Sequence, residues 1–382
     1  MDIFTDAFSS LGQGFASLSW QGIVMLLVGI LLLYLAVGRQ IEPFLLLPIG
    51  FGIVLGNLPL AGMSADYVSP EGTPGVIKTL YDSGILTELF PVLLFIGLGA
   101  MIDFGPMLAN PVVLIFGAAG QFGIFLTLIL ALSLGFARQE AVSIAVIGAC
   151  DGPTAIYVTS KFARDLLPAV SIAAYSYMSL VPIIQPPIIK ALTTEKERAI
   201  VMPYTDGKPV SQTTKILFPI VVTLVCGLIA PLSAPLIGML MLGNLLREAG
   251  VVQRLSDTAQ NELVNIVTLF LGLAIGSTMV AHDFLKWQTI GILCMGLVAF
   301  ALDTVAGLAF GKAMSIITKG KVNPLIGACG ISAFPMSARV ISKIGLEANP
   351  NNFLIMHAMA SNTAGQIGSV MAGGAIMALL AH

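Results

Sequence analysis

The chain has 382 residues, 57% hydrophobic and only 10% charged, with a formal net charge of −2. A soluble domain carries about 25% charged residues, and a mean hydropathy of +0.95 leaves more apolar surface than a water-soluble fold can hide. These values exclude a soluble enzyme, a secreted domain, a disordered chain and a nucleic-acid binder, and they point to a multi-pass membrane protein whose first partner is membrane lipid.

A membrane-crossing helix needs about 20 apolar residues, so roughly ten crossings fit this length. The apolar runs are long rather than alternating, which argues against a transmembrane barrel. Asp2 and Asp6 precede the first run without Lys or Arg, a poor signal peptide, so the first span is expected to be retained.

The predicted elements follow from charge-free stretches. A first span covers Gln21 to Gly38 and stops at Arg39. Pro43 to Ser64 holds Pro48, Gly50, Gly52 and Gly56, and reads as a discontinuous or re-entrant element. A polar loop, Tyr67 to Asp82, leads to a segment near Leu89 to Ile102. Phe104 to Ala137 exceeds one crossing and breaks at Asn110-Pro111. Glu140 to Ser160 is interrupted by Asp151-Gly152-Pro153, and a span follows from Leu166 to Ile189. Lys190 to Lys215 is the most polar stretch, with Glu195, Lys196, Glu197, Arg198, Asp206 and Lys208; its basic residues favour the cytoplasm. Beyond it lie Ile216 to Leu246 (split at Pro231 and Pro235), Leu263 to His282, Trp287 to Phe310, Val322 to Ala338, and Asn352 to the end.

The two halves echo each other. The Pro48–Asn57 string resembles Pro235–Asn244, Leu94–Leu98 resembles Leu269–Leu273, and Ile147–Cys150 resembles Ile326–Cys329. Three landmarks in one order, each about 180 residues apart, indicate duplication. The expected architecture is an all-α polytopic membrane protein of two similar, inverted repeats with broken or re-entrant helices: residues 1–189, a linker loop 190–215, and residues 216–382.

The sharpest site is Gly148-Ala-Cys-Asp151-Gly-Pro-Thr154-Ala-Ile-Tyr157. A carboxylate inside an apolar segment costs about 2.5 to 3.5 kcal/mol and is retained for binding a cation or moving a proton. Neighbouring Gly and Pro break the helix and free carbonyls. With Thr154 they would line an oxygen cage for a hard cation. The second repeat has Gly330 where the first has Asp151, within Asn323-Pro-Leu-Ile-Gly327-Ala-Cys-Gly-Ile-Ser332-Ala-Phe-Pro335-Met-Ser337-Ala-Arg339. It reads as a neutral half-site with Asn323 and Ser332 as ligands. Arg339 either balances Asp151 or snorkels to the interface. Tyr175 and Tyr177 lie inside a span, and Ser361 and Asn362 sit in an unusually polar last span, as ligands or as helix glue. Asp103 reads as a boundary residue. Asp303 is a weaker counterpart of Asp151, without flanking breakers. Cys150, Cys226, Cys294 and Cys329 lie in apolar runs without metal-ligand spacing, and His282, His357 and His382 form no cluster.

Longer motifs carry a resemblance. Asp151-Gly-Pro-Thr-Ala-Ile-Tyr157, Ala174-Tyr-Ser-Tyr-Met178, Ile183-Ile-Gln-Pro-Pro-Ile188, Lys190-Ala-Leu-Thr-Thr-Glu-Lys-Glu-Arg198, Arg254-Leu-Ser-Asp257 and Met356-His-Ala-Met359 resemble the β subunit of the sodium-pumping biotin-dependent decarboxylases, over nearly the whole chain. The family includes oxaloacetate, methylmalonyl-CoA, glutaconyl-CoA and malonate systems. The resemblance implies that this subunit decarboxylates carboxybiotin held by a partner, consumes a proton and exports sodium ions. It implies one sodium site with Asp151 and Tyr177, a second with Asn323 and Asn362, and functional roles for Gly327, Ser332 and Arg339. Sodium ion and biotin on a partner are the expected cofactors. The expected partners are biotin-carrying and carboxyltransferase subunits and a small membrane-anchored subunit, and a homo-oligomer is compatible with this reading. The location implied is the inner (cytoplasmic) membrane of a bacterial or archaeal cell. Catalytic roles fall to Asp151, Tyr177 and Arg339, and ion binding to Asp151, Thr154, Tyr177, Asn323, Gly327, Ser332 and Asn362. Cys150 before the motif and Ala360-Ser361 before Asn362 depart from the usual family pattern, and the short first loop leans toward an acyl-CoA substrate. The alternative is a stand-alone sodium/proton antiporter or sodium-coupled secondary transporter.

Overall fold

The computed structural model describes residues 13–149, 151–202, 210–333 and 336–380, without the side chains of Ala149, Ser176, Met178, Ser179, His282, Asp283 and Leu380. Asp2, Asp6, Cys150, Asp206, Lys208, Pro335 and His382, named above, lie outside the described residues. The described elements are helical apart from one bridge, Val68 to Pro74. In chain order the main helices are α1 (Trp20–Gly38), α2 (Pro43–Gly56), α3 (Val76–Leu80), α4 (Leu89–Met101), α5 (Val113–Gly120), α6 (Phe122–Ser133), α7 (Arg138–Ala149), α8 (Gly152–Phe162), α9 (Leu167–Leu192), α10 (Gln212–Ile229), α11 (Ala234–Ala249), α12 (Gln253–Thr258), α13 (Val264–Thr278), α14 (Trp287–Ile317), α15 (Met336–Ala348) and α16 (Ile355–Leu380).

Five of the described helical stretches are long and apolar enough to cross a bilayer, and up to seven if bent pairs count as single spans. That is fewer than the ten that length alone accommodates, because Gly and Pro cut several apolar runs into pieces too short to cross alone. The predicted breaks at Asn110-Pro111, Asp151 and Pro231 all separate helices. Pro43–Gly56 instead forms one 14-residue helix with Pro48 inside.

The exposed surface fits lipid rather than water. Along α10, Leu217, Val221, Leu224 and Leu228 are all exposed, and only Pro219 is buried. In water such a continuous apolar face would be an aggregation liability, whereas in a bilayer it is the solvent-facing side. The chain is an all-α polytopic membrane protein.

Two compact units are distinguished, residues 1–90 with 265–290, and residues 91–264 with 291–382. In the first, α1 and α2 form a hairpin, and α2 lies close against α13: a Cβ on Gly52 would stand 2.6 Å from the Leu273 carbonyl oxygen. Asn57 ends α2 and donates to Met279 O at 2.7 Å, just beyond the end of α13. In the second, α10 and α11 form a hairpin, and α11 meets α4 where a Cβ on Gly243 would overlap the Ile96 carbonyl. Asn244, near the end of α11, donates to Ile102 O at 3.5 Å, just beyond α4. Both α3 and α12 run into a π-helical turn, Tyr81–Leu86 and Ala259–Leu263.

Helix α9 contains Pro182, Pro186 and Pro187 and bends by 68° between its Arg164–Tyr175 and Leu180–Leu192 arms. Pro182 removes the hydrogen bond to the carbonyl four residues earlier and clashes with it, which accounts for a bend there. Tyr177 sits in that bend.

Candidate functional site

All the site residues predicted from sequence lie in the second unit. They gather around two breaks in the backbone. The first separates α7 from α8. Asp151 caps α8: its Oδ1 accepts the Thr154 backbone N–H at 2.7 Å, as a helix start requires. Asp151 is only 4% exposed, yet its Oδ2 has no hydrogen-bond partner. Thr154 is fully buried and its Oγ1 is likewise unpartnered. The sequence expects a cation or proton site at these two residues. The Thr154 methyl group lies 3.4 Å from where a Cβ on Gly373 of α16 would be. The Tyr175 ring lies directly against Gly152, where any Cβ would overlap it.

The second break is the stretch from Asn323 to Ser332. It includes a 3₁₀ helix, Pro324–Cys329, and is buried throughout. A non-helical backbone at this depth must have its carbonyls satisfied by protein. Six of them accept from side chains. Ser361 donates to Ile326 O at 3.1 Å, and Gln185 and Ser337 to Ala328 O at 3.2 and 3.1 Å. Asn362 donates to Cys329 O at 3.3 Å and Ile331 O at 2.6 Å. Gln121 donates to Gly330 O at 3.0 Å, and Gln366 to Ser332 O at 2.5 Å. The carbonyls of this break are therefore held largely by side-chain donors. The oxygens left over are on the amides: Gln121 Oε1, Asn362 Oδ1 and Gln366 Oε1 are buried and unpartnered.

The remaining predicted residues divide into groups. Asn323 is fully buried and fully committed: its Oδ1 accepts Leu325 N at 3.0 Å, and its Nδ2 donates to Arg198 O and Ile200 O at 3.0 and 2.8 Å. It fastens the linker to the second break. Gly327 permits close approach, since a Cβ there would overlap the Gly307 carbonyl of α14. Ser332 is buried beside Gln366. Tyr177 packs its ring on Gly296 of α14, 2.6 Å from an added Cβ, and its hydroxyl donates to Leu293 O. Arg339 lies apart from these buried groups. It is exposed on α15 and lines a groove of about 530 Å³ with Ser342, Lys343, Leu346, Glu347 and Ile355.

Helix α14 orders both breaks. Gly148, at the end of α7, packs on Ala299, Phe300 and Asp303, and Gly327 packs on Gly307 and Gly311. Ala299 and Gly307 are eight residues apart, about 12 Å along a helix. The two broken segments thus meet one rigid helix about two turns apart, with α16 passing both. Gln121 and Gln185 were not singled out as site residues by sequence, although an amide inside an apolar segment is a recognisable signal.

A break capped by a buried acid and an amide-lined break thus lie beside one helix, and comparison with known proteins decides the family. The family described as "Na+-transporting oxaloacetate decarboxylase beta subunit" matches residues 21–380. The chain belongs to that family. As a β subunit it is 50% identical over 384 residues to the methylmalonyl-CoA decarboxylase subunit beta of Veillonella parvula, covering 100% of both chains. It is 50% identical over 382 residues to the glutaconyl-CoA decarboxylase subunit beta of Acidaminococcus fermentans, covering 100% of this chain and 99% of that one. It is 46% identical over 420 residues to the oxaloacetate decarboxylase beta chain 2 of Salmonella typhi, covering 96% of each. The sodium-pump reading is favoured over the stand-alone antiporter.

The β subunit's linker is built rather than loose where it is described. Thr194 and Glu197 form a capping box around the short helix Glu195–Arg198. Glu197 pairs with Lys312 at 3.3 Å. Partial burial alone would raise the Glu197 carboxyl, but hydrogen bonds from Thr194 and Lys312 outweigh it and hold the group below its usual range. Asn352 adds a bond to Arg198 O at 2.9 Å. Asp103 is a boundary residue as expected, with Oδ1 accepting Gly105 N at 2.8 Å and Oδ2 3.9 Å from Arg247.

Proposed function

We propose that this β subunit decarboxylates carboxybiotin presented by a partner, consumes a proton, and exports sodium ions through the pair of broken segments. The single observation that carries this is the unpartnered, buried Asp151 oxygen beside a helix break, in a member of a sodium-transporting family. Asp151 Oδ2 and Thr154 Oγ1 supply hard oxygen ligands for sodium, with Tyr177 beside the same helix pair. Asn362 Oδ1 and Gln366 Oε1 supply neutral ligands at the second break. Asn323, Gly327 and Ser332 shape that break. Sodium enters as cargo, and a proton competing for the Asp151 carboxylate couples the two flows.

Arg339 and Lys343 line an exposed groove, and a guanidinium there is suited to a carboxylate such as that of carboxybiotin. In this reading, biotin-carrying, carboxyltransferase and small membrane-anchored subunits complete the complex in the cytoplasmic membrane. The identities to the methylmalonyl-CoA and glutaconyl-CoA relatives favour an acyl-CoA substrate. The paired elements, with Asn57 and Asn244 each tying a helix to the carbonyl beyond its neighbour, support two repeats that exchange helices, residues 1–189 and 216–382.

The test uses inside-out vesicles holding the chain with its natural partners. Radioactive sodium uptake is followed after adding methylmalonyl-CoA, glutaconyl-CoA or oxaloacetate, with and without avidin. Substrate-driven uptake that avidin blocks is expected. Uptake that ignores avidin and follows an imposed pH gradient overturns the pump.

A further inference from the structure

A second acid lies in this region, and nothing above uses it. Asp303 is fully buried in the middle of α14, and neither carboxyl oxygen has a hydrogen-bond partner among the described residues. Its surroundings are unusually tight. A Cβ on Gly123 of α6 would overlap Oδ1, and one on Gly148 of α7 would overlap Oδ2. The carboxyl is therefore clamped between two helices at positions that accept only glycine.

The neighbouring positions can be read from the register. Phe116 meets Phe310 edge to face, and Gly123 meets Asp303. Seven residues forward along α5–α6 thus match seven back along α14, so the helices run antiparallel. Thr127 lies four residues, about one turn, beyond Gly123 along α6. Thr127 is fully buried, and its Oγ1 is also unpartnered.

This pocket lies near the proposed site. Asp151 follows Gly148 by three residues, at most about 10 Å of chain. Tyr177 packs on Gly296, seven residues before Asp303 on the same face of α14, about 10 Å along the helix. Other titratable groups on the packed elements are remote. None occurs in α5 or α6, Arg138 and Glu140 lie in the first turn of α7, and Cys294 and Lys312 lie more than two turns away along α14 on either side.

A bare carboxylate with no partner is too costly to keep in this setting. A metal cation would relieve it only with a shell of several oxygens, and both carboxyl oxygens already abut glycine backbone. A proton needs no such room. We propose that Asp303 is a proton-carrying residue of the pump, held as the acid between Gly123 and Gly148 and delivering its proton toward the Asp151–Tyr177 site during turnover. In that step the Asp303 O–H bond breaks, the proton passes to the site that consumes it, and the carboxylate left behind is reprotonated from water. This rests on the reading of the chain as a proton-consuming subunit.

The experiment has two arms on the intact decarboxylase complex. Infrared spectra in H₂O and D₂O at neutral pH are expected to show a protonated-carboxyl C=O band that persists in Asp151→Asn and is missing from Asp303→Asn. Substrate-driven sodium uptake in vesicles is then measured across pH. Asp303→Asn, which keeps the shape of the acid, is expected to assemble normally yet lose at least tenfold in rate and flatten the pH profile. Thr127→Val is expected to shift that profile with assembly intact. An Asp303→Asn complex with the parental rate and pH profile, or spectra with no band that depends on Asp303, overturns the proposal. Failure of the pump reading itself is seen separately, as avidin-insensitive uptake by the parental complex.

Discussion

The two breaks solve the same problem with opposite chemistry. At Asp151 the helix restarts at once, capped by a carboxylate that keeps one oxygen free. At Gly330 there is no acid, the backbone stays irregular longer, and its carbonyls are held by Asn362, Gln366, Gln121, Gln185, Ser337 and Ser361. A carboxylate caps a helix and also changes charge, so the first break can respond to a cation or proton. Neutral amides satisfy more carbonyls without changing charge, so the second break holds its shape while offering amide oxygens. The first break thus carries an ionisable group, and the second is held by neutral amides.

The comparison is broken most directly at Asp151. Asparagine caps helices about as well as aspartate, so Asp151→Asn should leave thermal stability in detergent nearly unchanged. Sodium uptake and decarboxylation should fall at least about 100-fold, the scale of losing a positioned acid or base. If stability falls instead and the residual rate is high, the charge at this break is structural.

At the second break the order of effects should reverse. Asn362→Leu strands the Cys329 and Ile331 carbonyls, and each unsatisfied buried group costs about 1–3 kcal/mol. The midpoint of thermal unfolding should drop clearly, and activity should fall with it. Gly327→Ala drives a methyl group into the Gly307 carbonyl, and overpacking of this kind costs about 1–3 kcal/mol. Its loss of activity should be recovered in part by Gly307 variants only if they move the α14 backbone, which a differential-scanning measurement on double variants checks.

The smallest effect belongs to the linker. The Glu197 carboxyl is held below its usual range by Thr194 and Lys312, so its contribution is present at neutral pH. That contribution is lost as pH falls from the unfolded-state value of 4.5 through the lower folded one. The ion pair is partly exposed and screened by solvent, so Glu197→Gln should cost less than about 1 kcal/mol at neutral pH, with no difference from the parent in acid.

Much of this was legible in the sequence. Apolar runs gave the membrane class, and the Gly and Pro positions gave the breaks at Asn110-Pro111, Asp151 and Pro231. Asp151 stood out because an acid in an apolar run is rare and costly. Asn362 and Ser332 were recognisable by motif, but what they do was not, since Asn362 donates to a backbone carbonyl and the Ser332 carbonyl accepts from the Gln366 side chain, each across about 30 residues. Gln121 escaped notice because its partner, Gly330 O, is 209 residues distant. Asp303 was undervalued because its clamp is formed by glycines on two other helices.

By itself the sequence determined the solvent, the family, the places where helices must break and the one motif able to carry charge there, since each depends on local composition or on a contiguous motif. Only the tertiary structure decided which oxygens remain free. Hydrogen bonding is settled by partners far apart in the chain: packing commits the carbonyls of the second break to side-chain amides, and leaves Asp151 Oδ2, Thr154 Oγ1 and both oxygens of Asp303 buried without one.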